Sequence, residues 1–203
     1  MTQRCIVMKI AVAVFAVVAA TCAQTLAAPP NCEDTIFNGA KAAANSGSGV
    51  SAYLVGNCYL QIHDPATALQ WYLKGGAVGY VDAQYIIGEM YKNGEGIPQN
   101  YKLSFNWLLM AANQGDATSQ FEVGTMYRDG TGVKQSAVNA HIWLNLATSH
   151  MKLLFNNEPR DLAELEAKMS PSEIEAAQVA ATNWKPTKWC LDSTTQAATV
   201  CAR

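Results

Sequence analysis

An all-α fold, a short solenoid of antiparallel helix pairs, is predicted by three features of the 203-residue sequence. The stretch from Gln84 to Gln99 recurs as Gln120 to Gln135, 36 residues on. Gly-x-Gly pairs stop the apolar pattern at matching points, Gly94/Gly96 and Gly130/Gly132. Between the stops, apolar residues follow the three- and four-residue spacing of a helix face. Residues 84–112 and 120–148 share 10 identities in 29 positions, far above coincidence. Self-similarity at such a period marks a repeat architecture.

Taken from the N-terminus, residues 1–27 read as a secretory signal. Arg4 and Lys9 precede the apolar run Ile10 to Ala20, and small residues follow. That run is short of the ~20 residues needed to cross a bilayer. Thr21-Cys22-Ala23 and Thr25-Leu26-Ala27 both offer cleavage contexts, so cleavage is expected at about 23–28. A lipoprotein box at Cys22 is disfavoured because Ala19 stands where an aliphatic residue belongs. Export to the periplasm or beyond follows, with no membrane association once the signal is removed. Loss of Arg4 and Lys9 moves the formal charge from −2 to −4. Neither value gives the basic footprint of a nucleic-acid binder.

Residues 28–50 are expected to hold an N-terminal capping helix, because Ala43-Ala44-Asn45-Ser46-Gly47 aligns with Ala111 to Gly115. The first unit, Ser51 to Gly79, keeps Gly56, Tyr59 and Trp71 but lacks the four-residue Gly-x-Gly extension. In the second unit Asp82 is expected to cap a helix running to about Lys92, with glycine ending it. A second helix, about Asn100 to Asn113, is expected to turn Leu103, Trp107, Leu108 and Ala111 inward. Trp143, Leu144 and Ala147 repeat that pattern, and the array is assigned to residues 51–150. Tyr59, Tyr91, Tyr127, Trp71, Trp107 and Trp143 are assigned to the core.

Residues 151–186 are expected to form C-terminal capping helices, as solenoids need polar ends. Residues 158–169 alternate acids and bases among helix formers. Ser170-Pro171-Ser172-Glu173 is a capping box with proline at the first helical position. Ile174, Ala177, Gln178 and Ala181 then form one narrow stripe. Residues 187–203 read as a tail with no core of its own.

The string Ala83-Gln84-Tyr85, Gly88, Met90-Tyr91, Gly94-x-Gly96, Gln99, then Trp107 and Ala111-Ala112-x-x-Gly115, resembles the Sel1-like repeat, a relative of the tetratricopeptide repeat. Met169-Ser-Pro-Ser-Glu-Ile174 and Trp184-Lys-Pro186 resemble the terminal helices of exported bacterial members. The resemblance implies a right-handed solenoid with a C-terminal capping helix pair. It also implies a concave groove that binds another protein or peptide.

Four cysteines remain after the signal, an even number in an oxidising compartment. A hairpin turning near residues 46–49 brings Cys32 close to Cys58. Cys190 and Cys201 share the tail. The expected disulfides are therefore Cys32–Cys58 and Cys190–Cys201.

No catalytic constellation emerges. His63, His141 and His150 fit no metal-ligand spacing, and Glu164 and Glu166 face different sides of a helix. The Gly-x-Gly pairs lack the Lys-Ser/Thr of a phosphate loop. Some cysteine-rich relatives are linked to lactam binding through a cysteine pair in each repeat, which is missing here. No enzyme activity, cofactor or metal is therefore expected.

Stepping around the first helices from the packed face picks out three ladders. They are Tyr53/Tyr85/Phe121, Asn57/Glu89/Thr125 and Leu60/Lys92/Arg128, the expected protein-binding groove. The preferred role is an exported adaptor or regulator. An immunity protein that neutralises a periplasmic toxin is the alternative, and a cell-wall or lactam hydrolase ranks below both.

Overall fold

The computed structural model describes residues 34–155, 160–191 and 198–201. The expected signal segment and Cys32 lie outside the described residues. Nine helices are found among the described residues: α1 (Asp34–Asn45), α2 (Gly49–Gln61), α3 (Pro65–Ala77), α4 (Val81–Asn93), α5 (Tyr101–Asn113), α6 (Ala117–Asp129), α7 (Ala137–Phe155), α8 (Arg160–Glu166) and α9 (Pro171–Asn183). Two short antiparallel strands follow, β1 (Trp189–Leu191) and β2 (Ala198–Val200). From α1 to α8 each helix packs on its sequence neighbours, and α9 returns to pack on α7. The result is an all-α solenoid of helix pairs.

Local chemistry explains where the helices begin. The second helix of each unit is capped at one repeat position, 36 residues apart. Asp64 Oδ1 accepts from Thr67 N–H at 3.0 Å, Asn100 Oδ1 from Leu103 N–H at 3.0 Å, and Ser136 Oγ from Asn139 N–H at 3.3 Å. Among the first helices, Ser48 and Asp116 cap α2 and α6. α4 departs from expectation. Its N-cap residue is Tyr80, which makes no side-chain capping bond, and Asp82 lies inside the first turn. Tyr80 is held by its ring, 5.4 Å from that of Tyr53, and the helix starts two residues earlier than the Asp82 reading required. The Asp82 carboxylate instead acts on the Tyr80 hydroxyl. Burial, then the Asp82 carboxylate, raises the Tyr80 pKa to about 12.

The Gly-x-Gly turns do two jobs. Gly94 and Gly130 close α4 and α6 in the left-handed region, at φ 72° and 71°. The second glycine of each pair lies against the preceding unit. A Cβ on Gly96 would overlap the Pro65 ring at the start of α3, and one on Gly132 would overlap the Tyr101 carbonyl at the start of α5. Side-chain amides brace both turns identically. Gln99 Nε2 donates to the Lys92 carbonyl and Gln135 Nε2 to the Arg128 carbonyl, each at 2.7 Å.

Small residues set the helix spacing. A Cβ on Gly88 would stand 2.5 Å from Leu108 Cγ, and one on Gly124 2.8 Å from Leu144 Cγ. Three apolar clusters result. The first gathers Ala68, Tyr72, Ile87, Met90, Trp107 and Met110. The second joins Phe105 and Leu108 to Val123 and Met126, and the third joins Ala140 and Leu144 to Leu165. Burial of this apolar surface is what drives neighbouring units together.

Two core expectations need correction. Leu103 is 37% exposed, because Ser104 and Phe105 take the inward positions of α5. Trp71 is half-buried under Lys74 Nζ, 4.0 Å from its ring centre, outside the three clusters. The terminal cap follows its sequence more closely. Ser170 N–H donates to Glu173 Oε2 at 2.9 Å in the expected capping box, and Ala177 and Ala181 are buried. Gln178 is exposed, so the buried stripe of α9 is narrower than expected.

The tail differs most. Rather than lacking a core, it borrows one by running back along the array as a strap. Trp184 meets Trp143 edge-on, with ring centres 6.3 Å apart. Thr187 N–H donates to the Asn113 carbonyl at 2.6 Å, and Gln84 Nε2 to the Trp189 carbonyl at 2.8 Å. Trp189 and Leu191 pack on the first apolar cluster. Cys190 and Cys201 are joined, with Cα atoms 5.2 Å apart. Cys58 is also disulfide-bonded. Its expected partner, Cys32, is not among the described residues.

Candidate functional site

The first helices α2, α4 and α6 form one layer. α2 touches α4, and Lys92 on α4 reaches Glu122 on α6 at 3.0 Å. The nine predicted groove residues all belong to this layer, but they do different work.

The aromatic ladder is largely packing. Tyr53 lies between Tyr72 and Tyr80, at ring-centre distances of 5.8 and 5.4 Å. Tyr85 leans on the second apolar cluster and Phe121 on the third. Each ring is therefore half-buried between units. Burial, assisted by Glu89 and Glu122, raises the Tyr85 pKa above the usual tyrosine value.

The polar ladder is tied down. Asn57 Oδ1 accepts the Tyr72 hydroxyl at 2.7 Å, and Thr125 Oγ1 donates to the Glu122 carbonyl at 2.8 Å. Glu89 pairs with Lys92 at 2.6 Å. Lys92 thus bridges two carboxylates on adjacent helices. Burial alone would lower its pKa, but Glu89 and Glu122 outweigh that and hold it above the ordinary lysine value.

The third ladder splits. Leu60 packs on the first cluster, whereas Arg128 meets Asp129 through Nε at 2.8 Å and Nη2 at 3.0 Å. The hydrogen bonds from Arg128 hold the Asp129 carboxyl below its usual range. Arg128 also borders a cleft of about 670 Å³ between α6, the start of α7, and α8. Glu164 and Lys168 face it there, so both charge signs line the opening.

Sequence reasoning missed two open apolar residues of the layer. Leu54 and Val50 on α2 are 51% and 50% exposed. Offsets of 32 and then 36 residues match Leu54 to Ile86 and Glu122, and Val50 to Asp82 and Thr118. Applying those offsets one residue beyond the aromatic rung would have found the Leu54 series.

His141 is completely buried, with Nε2 2.7 Å from Glu166 Oε1. It stands 36 residues after Phe105, so an imidazole occupies a repeat position that is otherwise apolar. His63 is exposed in a left-handed turn at φ 60°. The side chain of His150 is outside the described residues. Among the described residues, no three His, Cys, Asp or Glu side chains are grouped to hold a metal ion.

The model of the Sel1 repeat matches residues 40–80, 81–116 and 117–150, over half of the chain. The chain belongs to the Sel1-repeat family. Sel1 solenoids generally serve as protein–protein interaction modules, and the family is typically a non-enzymatic scaffold. Among solved structures, one similar to this Sel1 chain is a protective antigen present in uropathogenic Escherichia coli strains, displaying an SLR fold. It is 22% identical with a TM-score of 0.64, over 75% of this chain and 33% of the antigen. This chain therefore spans about a third of that protein's length. A Sel1 repeat protein from Oxalobacter formigenes is 24% identical with a TM-score of 0.51, covering 69% of this chain and 95% of that one. No curated protein matches the chain significantly. No helix among the described residues is long and apolar enough to cross a membrane.

Proposed function

We propose that this Sel1 chain is an exported interaction module that holds a protein or peptide partner on the layer formed by α2, α4 and α6. The observation that carries the reading is the exposed Val50 and Leu54 pair at one end of that layer, continuous with the half-buried Ile86 and Glu122. Apolar anchors beside charged side chains are what an interface needs, because desolvated anchors carry most of the binding energy. The signal-like residues 1–27 support a periplasmic or secreted location. An adaptor role accounts for a repeat array whose polar side chains brace one another rather than converge on a reacting atom.

The test uses the mature chain as bait in an envelope extract, followed by binding of the purified captured protein. The variant is Leu54→Asp with Thr125→Arg, two positions on this layer whose side chains are not fully buried. Affinity is expected to fall at least ~10-fold, in line with loss of an interface anchor, with helical circular dichroism unchanged. Unchanged affinity in a folded variant would move the interface off this layer.

A further inference from the structure

The strap covers one repeat position in two successive units. Gly47, Gly79 and Gly115 are equivalent turn glycines, separated by 32 and 36 residues. Trp184 and Pro186 lie over Gly115, 3.8 and 3.9 Å from where a Cβ would stand. The sulfurs of Cys190 and Cys201 lie over Gly79, at 3.0 and 3.2 Å on the same measure. Among the described residues, nothing comes within 4 Å of that point on Gly47. The disulfide is thus seated on the array itself.

Beside it, Trp189 and Leu191 wall an apolar cleft of about 440 Å³ with Leu73, Trp107 and Met110 on α3 and α5. The hairpin of β1 and β2 is small, and Cys201 N–H donates to the Lys188 carbonyl at 3.0 Å beside it. Its strands are three residues each, and two-stranded ribbons of that size do not persist unaided in water. The bond between Cys190 and Cys201, 11 residues apart, restricts the loop that would otherwise resist strand pairing. The hairpin in turn presents the Trp189 carbonyl to Gln84, whose Oε1 accepts from Gln114 at 2.7 Å.

We propose that the Cys190–Cys201 bond is a redox latch on this strap, and that its reduction by a dithiol unseats Trp189 and Leu191 from the cleft. One thiolate of the reductant attacks a cystine sulfur to form a mixed disulfide. Its second thiolate then displaces the protein sulfur. Two electrons and two protons pass to Cys190 and Cys201, and the reductant leaves as its own disulfide. The opened cleft exposes the apolar faces of Leu73, Trp107 and Met110 on the second helices. That surface is separate from the layer of first helices.

Because Cys58 is disulfide-bonded too, bulk reduction opens more than this link. The test therefore uses the full mature chain with Cys190→Ser and Cys201→Ser, measured by amide hydrogen exchange. Exchange across residues 187–191 is expected to rise on the order of 100-fold, the loop-closure effect of one such link. An anilinonaphthalene sulfonate dye should bind, and far-UV circular dichroism should stay unchanged. Exchange within about twofold of the oxidised wild type would overturn the proposal. If the double variant does not fold, wild-type protein with only Cys190 and Cys201 reduced and alkylated takes its place. Loss of helical content in that sample would also overturn it, since the strap would then be part of the fold.

Discussion

The second and third units share a backbone plan but differ in what they offer the next element along. Their invariant parts coincide closely: the left-handed Gly94 and Gly130, the Gln99 and Gln135 braces, and the Gly88–Leu108 and Gly124–Leu144 approaches. Their variable parts face forward. Phe105 meets Tyr127 of the following unit edge-on, with ring centres 5.1 Å apart, inside an apolar cluster. Its counterpart His141 instead meets the carboxylate of Glu166, near the end of the short capping helix α8. Lys92 likewise reaches forward to Glu122, and Arg128 at the same repeat position pairs with Asp129 of its own helix. The comparison separates residues that make a unit from residues that say which unit comes next.

Exchanging the forward-facing pair should break that distinction most sharply. Phe105→His places an imidazole in an apolar cluster and loses the Tyr127 contact, at an expected cost of about 3 kcal/mol. His141→Phe is expected to change stability by less than about 1 kcal/mol, because Glu166 is partly exposed and can rehydrate. Urea melts of both variants check the asymmetry, and equal losses would mean that the position is not directional.

The shared parts should respond alike. Gly88→Ala and Gly124→Ala each force a methyl against a leucine Cγ, costing roughly 2 kcal/mol after the gain in helix propensity. The same melts report this, and a difference above about 1 kcal/mol would show that one interface has slack the other lacks.

The smallest effect concerns the caps of the second helices. Asp64 occupies the position held by Asn100 and Ser136, and only Asp64 titrates. Its hydrogen bonds to Thr67 hold its pKa below the ordinary aspartate value. A depressed carboxyl stabilises the fold above its unfolded pKa, and that contribution fades as pH falls through the lower folded value. Below about pH 4, the Thr67 amide should lose exchange protection while the Leu103 and Asn139 amides keep theirs. Parallel loss at all three would point to general acid unfolding.

How far the sequence could be read follows the same division. The repeat offset located the helix pairs, the glycine turns and the capping box, because each is set by residues close in the chain. The inward turn of Leu103 failed because the α5 face is decided by Phe105 meeting α6, a contact between units. The ladders all lie on the layer of first helices, yet their aromatics are half-buried while Leu54 stands open. That difference needs the neighbouring helix in place. The strap was illegible for a like reason: Trp189 and Leu191 find their core some 100 residues upstream, and no local pattern records it.

The second glycine of each turn carries a consequence for how such an array gains length. Gly96 abuts the start of α3 and Gly132 the start of α5, so every such turn is jointly owned by two consecutive units. A 36-residue block copied in tandem would bring its own turn and find the complementary surface already present on the block before it. The first unit has no such turn, and α1 packs on it instead. Growth is therefore cheap in the interior, while the two ends must be written separately.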